Sequence, residues 1–398
     1  QPKKRCTMTE LASSPKVTFI DQDRRGFVEQ DLREQVAVAA GQSQSYTVPV
    51  LVMSEQRLRD NVRRFMAAMP RVQPHFAVKA NPDSAILTIF AEEGACFEIA
   101  SSAELDALTE MNVPVEHILY SNPIKSPKAV RDAAAAGIEW YSVDCSEEVA
   151  KIAAVDPTAK LYIRIEVSNE GSTWPLAGKF GASAAGVDRI IETAQRLQMN
   201  VCGVTFHVGS QCTNVNNWVE GINSAKGIFD KLRAHGYTPE LLNLGGGYPL
   251  QLTGSEPTIE EIGAVISEQL ESIPSTIKVV AEPGRYFVGS AGCLITQVVG
   301  LATRDNARWL YLDTGFYGGL MELAQNFPLT LVSRRTGAAE SWAMAGPTCD
   351  SIDVLGTHQL PANMEVEDLI FMPNLGAYCT SCACDFNGFP APALVMAS

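Results

Sequence analysis

The chain has 398 residues, 46% of them hydrophobic and 19% charged, so it can bury a large core and does not read as a disordered polymer. Its formal charge of −14 argues against nonspecific binding to nucleic acid or an anionic membrane and suits a cationic or neutral small ligand. Ten cysteines in so long a chain are too sparse for a disulfide scaffold. The first five residues are polar and basic, and no apolar stretch of signal-peptide type follows them. No apolar run reaches the roughly 18–20 residues of a membrane helix. The expectation is a soluble, cytoplasmic protein, with Met8 a candidate native start.

Residues 18–53 offer a strand and a helix to the β domain described last. Short apolar or β-branched runs then recur at 75–80, 96–100, 117–121, 140–144, 161–167, 201–208, 241–244 and 277–281. Helix-like stretches lie between them, such as 84–93, 102–111, 126–136 and 187–198. Several open on a capping residue, for example Ser102 with Glu104 and Asp106 in the first turn. Eight strands alternating with helices match an α/β fold of the (β/α)8 barrel type. The runner-up, an open doubly wound sheet, lacks a G-x-G-x-x-G turn after its first strand.

From about Tyr286 the pattern changes. Alternating runs at 293–299, 309–313, 329–332, 342–345 and 369–371 follow without long helices, separated by turn residues. They predict an antiparallel β-barrel or sandwich domain. The expected division is an N-terminal segment, 1–45, partly packed with the β domain, a barrel over 46–285, and the β domain over 286–398. Cys379, Cys382 and Cys384 form a C-x-x-C-x-C run, but no second Cys/His pair stands near it at zinc spacing. Residues 376–383 read as a strand, so buried thiols and no metal are expected.

Polar residues end the barrel runs: Lys79, Glu98, Asn122, Asp144, Arg164, His207, Gly245 to Gly247 and Glu282. In a barrel that face carries the site. Asn122 and Asp144 read equally well as loop caps. Lys79 does not, because a lysine inside His-Phe-Ala-Val-Lys-Ala is costly without a task.

Phe76-Ala77-Val78-Lys79-Ala80-Asn81 resembles the cofactor-lysine motif of the pyridoxal 5'-phosphate (PLP) decarboxylases with an alanine-racemase-like fold. Phe206-His207-Val208-Gly209-Ser210, Leu244-Gly245-Gly246-Gly247 and Ala281-Glu282-Pro283-Gly284-Arg285 fit the same family. So do Gly346-Pro347-Thr348-Cys349-Asp350, Gly376-Ala377-Tyr378 and Phe386-Asn387-Gly388-Phe389. Trp174-Pro175-Leu176 before Lys179-Phe180-Gly181, and Leu312-Asp313 before Gly318-Gly319-Leu320, resemble the bacterial ornithine decarboxylase branch.

The resemblance implies roles. Lys79 is the amine that condenses with the PLP aldehyde. Glu282 is the carboxylate that keeps the ring nitrogen protonated; the racemase branch has an arginine there, so an acid points to carbanion chemistry. His207 packs on the ring face. Gly245, Gly246 and Gly247 cradle the phosphate, with Ser210, Gly284, Arg285 and Tyr378 as further cofactor contacts. Arg164 lies near Glu282, and Glu98 stands where the family usually has an aspartate.

Cys349 resembles the family's proton donor, supplied across a homodimer with shared active sites. Asp313 and Asp350 resemble the acids that hold a distal ammonium, with Tyr317 and Phe386 beside the substrate. Diaminopimelate decarboxylases usually have Cys-Glu at the Cys349-Asp350 position. The implied reaction is decarboxylation of L-ornithine to putrescine, with L-lysine as a second substrate. The alternatives are another basic, D- or derivatised amino acid, or a non-catalytic regulator, which would be expected to have lost Lys79 or Cys349.

Overall fold

A computed structural model describes residues 22–42, 47–176 and 178–397. They fall into two compact units. One holds 55–251 and 256–289; the other holds the described residues up to Ser54, with 252–255 and those from Ser290 onward.

Strand β1 (Val50–Ser54) belongs to the second unit. The first unit runs β2 (Val72–Ala77), β3 (Cys96–Ile99), β4 (Ile118–Tyr120), β5 (Trp140–Val143) and β6 (Lys160–Arg164). It continues with β7 (Ser172–Trp174), β8 (Asn200–Thr205), β9 (Ser210–Cys212), β10 (Leu241–Asn243) and β11 (Lys278–Ala281). Eight of these close a barrel in the order β10-β11-β2-β3-β4-β5-β6-β8, and every pairing in it is parallel. They are the eight expected runs. β7 and β9 pair antiparallel in a separate ribbon.

The local chemistry explains the alternation. Ser101 caps the helix Ser102–Glu110 by accepting the Glu104 N–H at 3.3 Å, one residue earlier than expected. Ser102 instead donates to Asp132. Thr258 and Glu261 form a reciprocal capping box on Ile259–Leu270. Gly137, at φ 88°, stops Pro127–Ala136 in a left-handed conformation that disfavours side chains. Leu119, Tyr162, Leu241 and Val280, from four barrel strands, form one buried cluster. Each such apolar side chain contributes about 1.5–3 kcal/mol by leaving water.

The second unit adds β12 (Gly292–Arg304), β13 (Ala307–Leu312), β14 (Val332–Ser333), β15 (Ala339–Ala345), β16 (Val354–Pro361), β17 (Leu369–Pro373) and β18 (Ala393–Ala397). They form one sheet in the order β14-β17-β12-β13-β15-β16, with β1 bonded to β12 and β18. The sheet is mixed rather than wholly antiparallel, because β13 pairs parallel with β15, and β1 with β18. The expected barrel began at 46, but β1 bonds into this sheet instead. The helix Gln22–Gln42 packs on it: Ala39 is buried with Val50, Val52, Ile295 and Phe371, and Gln35 exchanges two hydrogen bonds with Asn374.

The expected strand over 376–383 is absent. Tyr378 sits at φ 57° and Thr380–Cys382 form a 3-10 turn, so this stretch cannot extend. Among the described residues, no helix is long and apolar enough to cross a membrane.

Candidate active site

The strand ends of the barrel gather charge in a small buried space. Lys79 lies in a 3-10 turn just beyond β2, and its Nζ is 2.5 Å from Glu98 Oε2 on β3. Glu98 is 2% exposed, whereas the Lys79 side chain is 44% exposed, so the pair is an anchored acid under a reachable amine. Behind it, Glu104 accepts the Ala100 N–H. Burial and the nearby Glu98 push the Glu104 carboxyl up to about 7.

Glu282 follows β11 and is buried. Ser121 Oγ and Asn243 Nδ2 both donate to its Oε1, the latter at 2.6 Å. Ser121 is itself 2.7 Å from the Tyr162 hydroxyl. The bonds from Ser121 and Asn243 both fall on Oε1. Burial, and then the charge of Glu98, raise this carboxyl above its ordinary range, while Lys79, Ser121 and Asn243 oppose the rise. Arg164 is half-buried, and desolvation lowers its guanidinium pKa against the pull of Glu282, Asp144 and Glu98.

His207 is held neutral. Burial and the positive charges of Arg164 and Lys79 keep its imidazole well below the ordinary value. Gly209 N–H donates to Nδ1 at 3.0 Å, which leaves the ring proton on Nε2.

The glycine turn is sterically required. A Cβ on Gly245 would lie 2.0 Å from Phe206 O, and one on Gly247 2.4 Å from Gly209 O. One on Gly246 would meet Glu282 O at 2.8 Å and His207 Nε2 at 3.0 Å. Gly284 opens the short helix Arg285–Val288. Arg285 Nε lies 3.4 Å from Ser210 Oγ, and its guanidinium covers the Trp174 ring at 4.4 Å.

Asn122 and Asp144 serve loops. Asn122 donates to Ala100 O, and Asp144 accepts from Gly181 N.

The β unit holds the other expected residues. Asp313, Asp350 and Asp353 line one cleft of about 470 Å³, with Trp309, Tyr311 and Phe389. Asp313 Oδ1 accepts from Thr296 Oγ1 and Gln297 N, while its Oδ2 is buried without a hydrogen bond among the described residues. Burial raises its carboxyl. Tyr317 donates to Asp350 Oδ2 at 2.6 Å, which lowers the Asp350 carboxyl, and the Tyr317 ring lies 4.4 Å from Phe386. Cys349 is exposed, and its backbone N–H donates to Asn387 Oδ1 at 2.9 Å. Tyr378 is half-buried in the same unit. Cys379 is buried and its thiol pushed up to about 12, whereas Cys384 is exposed.

Sequence reading missed Ser121, Asn243 and Tyr162, the groups that fix Glu282. Ser121 and Asn243 lie inside expected strand runs, and their polarity within apolar stretches was the available signal.

These features fit PLP. The glycine turn follows β10 beside Ser210 and Arg285, which suit a phosphate, and the buried Glu282 carboxylate suits a protonated ring nitrogen. Residues 55–289 match the family model for the pyridoxal-dependent decarboxylase, pyridoxal binding domain. Mouse (Mus musculus) ornithine decarboxylase is 33% identical over 355 residues, 83% of this chain and 76% of that one. The lysine/ornithine decarboxylase of Selenomonas ruminantium is 31% identical, covering 86% of this chain and 87% of that one. Antizyme inhibitor 2 of Xenopus laevis is 31% identical, covering 92% and 84%.

Two solved structures share the fold. The Paramecium bursaria Chlorella virus arginine decarboxylase bound to agmatine has a TM-score of 0.85 at 28% identity, covering 91% of this chain and 100% of that one. The lysine/ornithine decarboxylase of Vibrio vulnificus complexed with putrescine has a TM-score of 0.84 at 31% identity, covering 91% and 98%. On its sequence, its fold and its glycine-cradled barrel mouth, this chain belongs to the pyridoxal-dependent decarboxylase family.

Proposed function

We propose that the chain decarboxylates a basic amino acid at a PLP-loaded barrel mouth, L-ornithine first and L-lysine second, giving putrescine or cadaverine. The observation that supports the substrate class is the β-unit cleft, where Asp313 keeps a buried acceptor oxygen beside Asp350. A substrate ammonium supplies the missing donor.

When bound, PLP supplies a covalent anchor for an amine and an electron sink for the pair left as CO₂ departs. Lys79 is the anchoring amine, steadied by Glu98. Ser121 and Asn243 orient Glu282, whose carboxylate would hold a protonated ring nitrogen, which would offset the cost of burying its charge. His207, a neutral imidazole, would lie against the ring and add no second positive charge. The glycine turn, Ser210, Gly284, Arg285 and Tyr378 would hold the phosphate and ring, and Arg164 would support Glu282. Cys349, from a partner chain, would return the proton to Cα, its exposed thiol being the proton source. Tyr317 and Phe386 shape the space around Asp350.

One methylene separates lysine from ornithine, a difference worth only about 1–3 kcal/mol in an apolar pocket. Retention of Lys79 and Cys349 favours the enzyme reading over a regulator resembling antizyme inhibitor 2.

Product analysis by mass spectrometry tests this. Chain and PLP are incubated with L- and D-ornithine, L- and D-lysine, L-arginine and diaminopimelate. The expected result is putrescine from L-ornithine with slower cadaverine formation. Agmatine as the main product, or no CO₂ from any substrate, contradicts it.

A further inference from the structure

In the β7/β9 ribbon, Trp174 pairs directly with Ser210. Both reach Arg285. The guanidinium carbon lies 4.4 Å from the Trp174 ring centroid, while Nε and Nη2 lie 3.4 and 3.5 Å from Ser210 Oγ. The indole face adds an aromatic surface on which the guanidinium packs, alongside its polar contacts. Trp174 is 8% exposed and Arg285 5%, so the stack is shielded from water.

The arm that carries Trp174 is strapped down. Asn169 donates to His207 O at 3.1 Å and accepts Leu176 N–H at 2.7 Å. Ser172 donates to Asn169 O at 2.7 Å, and Asn217 to Glu170 O at 2.8 Å. A side chain fixed this firmly can fix another.

We infer that Trp174 is a positioning residue: its indole holds the Arg285 guanidinium flat beside Ser210, so the PLP phosphate meets a preformed site. The inference rests on the assignment of Arg285 to the phosphate made above. It does not depend on which amino acid is the substrate.

The test measures binding of PLP, and of pyridoxal, which lacks the phosphate, to the full chain stripped of cofactor, by equilibrium dialysis. Trp174→Ala is expected to raise the Kd for PLP roughly 3- to 30-fold. Its Kd for pyridoxal is expected to stay at the wild-type value. Trp174→Phe keeps an aromatic face and is expected to stay within about 3-fold for PLP. In an Arg285→Ala background, Trp174→Ala is expected to add no further loss.

Equal weakening of PLP and pyridoxal, or full additivity with Arg285→Ala, overturns the inference. Wild-type PLP binding by Trp174→Ala beside weakened binding by Arg285→Ala overturns it alone. Wild-type PLP binding by Arg285→Ala removes the phosphate assignment and the inference together.

Discussion

The barrel mouth and the β-unit cleft both collect charge, and they treat it in opposite ways. At the barrel mouth most buried carboxylate oxygens are partnered: Glu98 by Lys79, Glu282 Oε1 by Ser121 and Asn243, and Glu148 by Lys125. In the β unit Asp313 keeps an unbonded buried oxygen and Cys349 is exposed. Apolar Ile352, Phe386 and Phe389 are 60%, 37% and 40% exposed in that unit. A largely hydrogen-bonded network is rigid and suits a group that is the same in every turnover. An unsaturated, partly apolar one suits a changing ligand and an incoming protein surface. The proposed function accordingly keeps the cofactor site within one chain and has a second chain complete the substrate and proton side.

Four substitutions press on that difference. Lys79→Ala is expected to cut PLP-dependent decarboxylation by about a thousandfold or more, read as CO₂ release. Cys349→Ala is expected to slow diamine formation roughly a hundredfold, with PLP still bound. If it yields only diamine at the wild-type rate, the β unit supplies no proton. Asp350→Asn removes a charge-assisted contact and is expected to lower kcat/KM for ornithine about 10- to 100-fold, mostly through KM. A loss confined to kcat would place Asp350 outside substrate binding.

The smallest effect concerns pH. Burial and Glu98 raise the Glu104 carboxyl from 4.5 to about 7. The folded chain then binds this proton more tightly than the unfolded chain does. The associated stability is whole below about pH 4.5 and is lost as pH rises through about 7. Glu104→Gln keeps an acceptor for Ala100 N–H and removes that loss. Its thermal midpoint is expected to exceed the wild-type value at about pH 8, reflecting about 1–3 kcal/mol, and to match it near pH 4. An equal midpoint difference at both pH values contradicts this.

The same contrast governs what the sequence could reveal. Barrel strands buried on both faces read as continuous apolar runs, so all eight were legible. The three-residue strands β7 and β9 were not, because their segment is polar and too short to show a period. In β16 exposed and buried positions do not alternate regularly, which hid it. Lys79, His207 and Glu282 stood out as polar groups ending apolar runs. Ser121 did not, because its partner Glu282 lies 161 positions away and only closure of the barrel joins them. The pairing of Trp174 with Arg285 was hidden for the same reason.

The central claim is that the two regions act as one site across two chains. Co-expression of Lys79→Ala with Cys349→Ala chains tests it most directly, with putrescine release from L-ornithine as the readout. Each variant alone is nearly inactive. Random pairing makes half the dimers mixed, and each mixed dimer carries one intact site, so the account predicts about a quarter of wild-type activity. Mixtures no more active than the separate variants would contradict it.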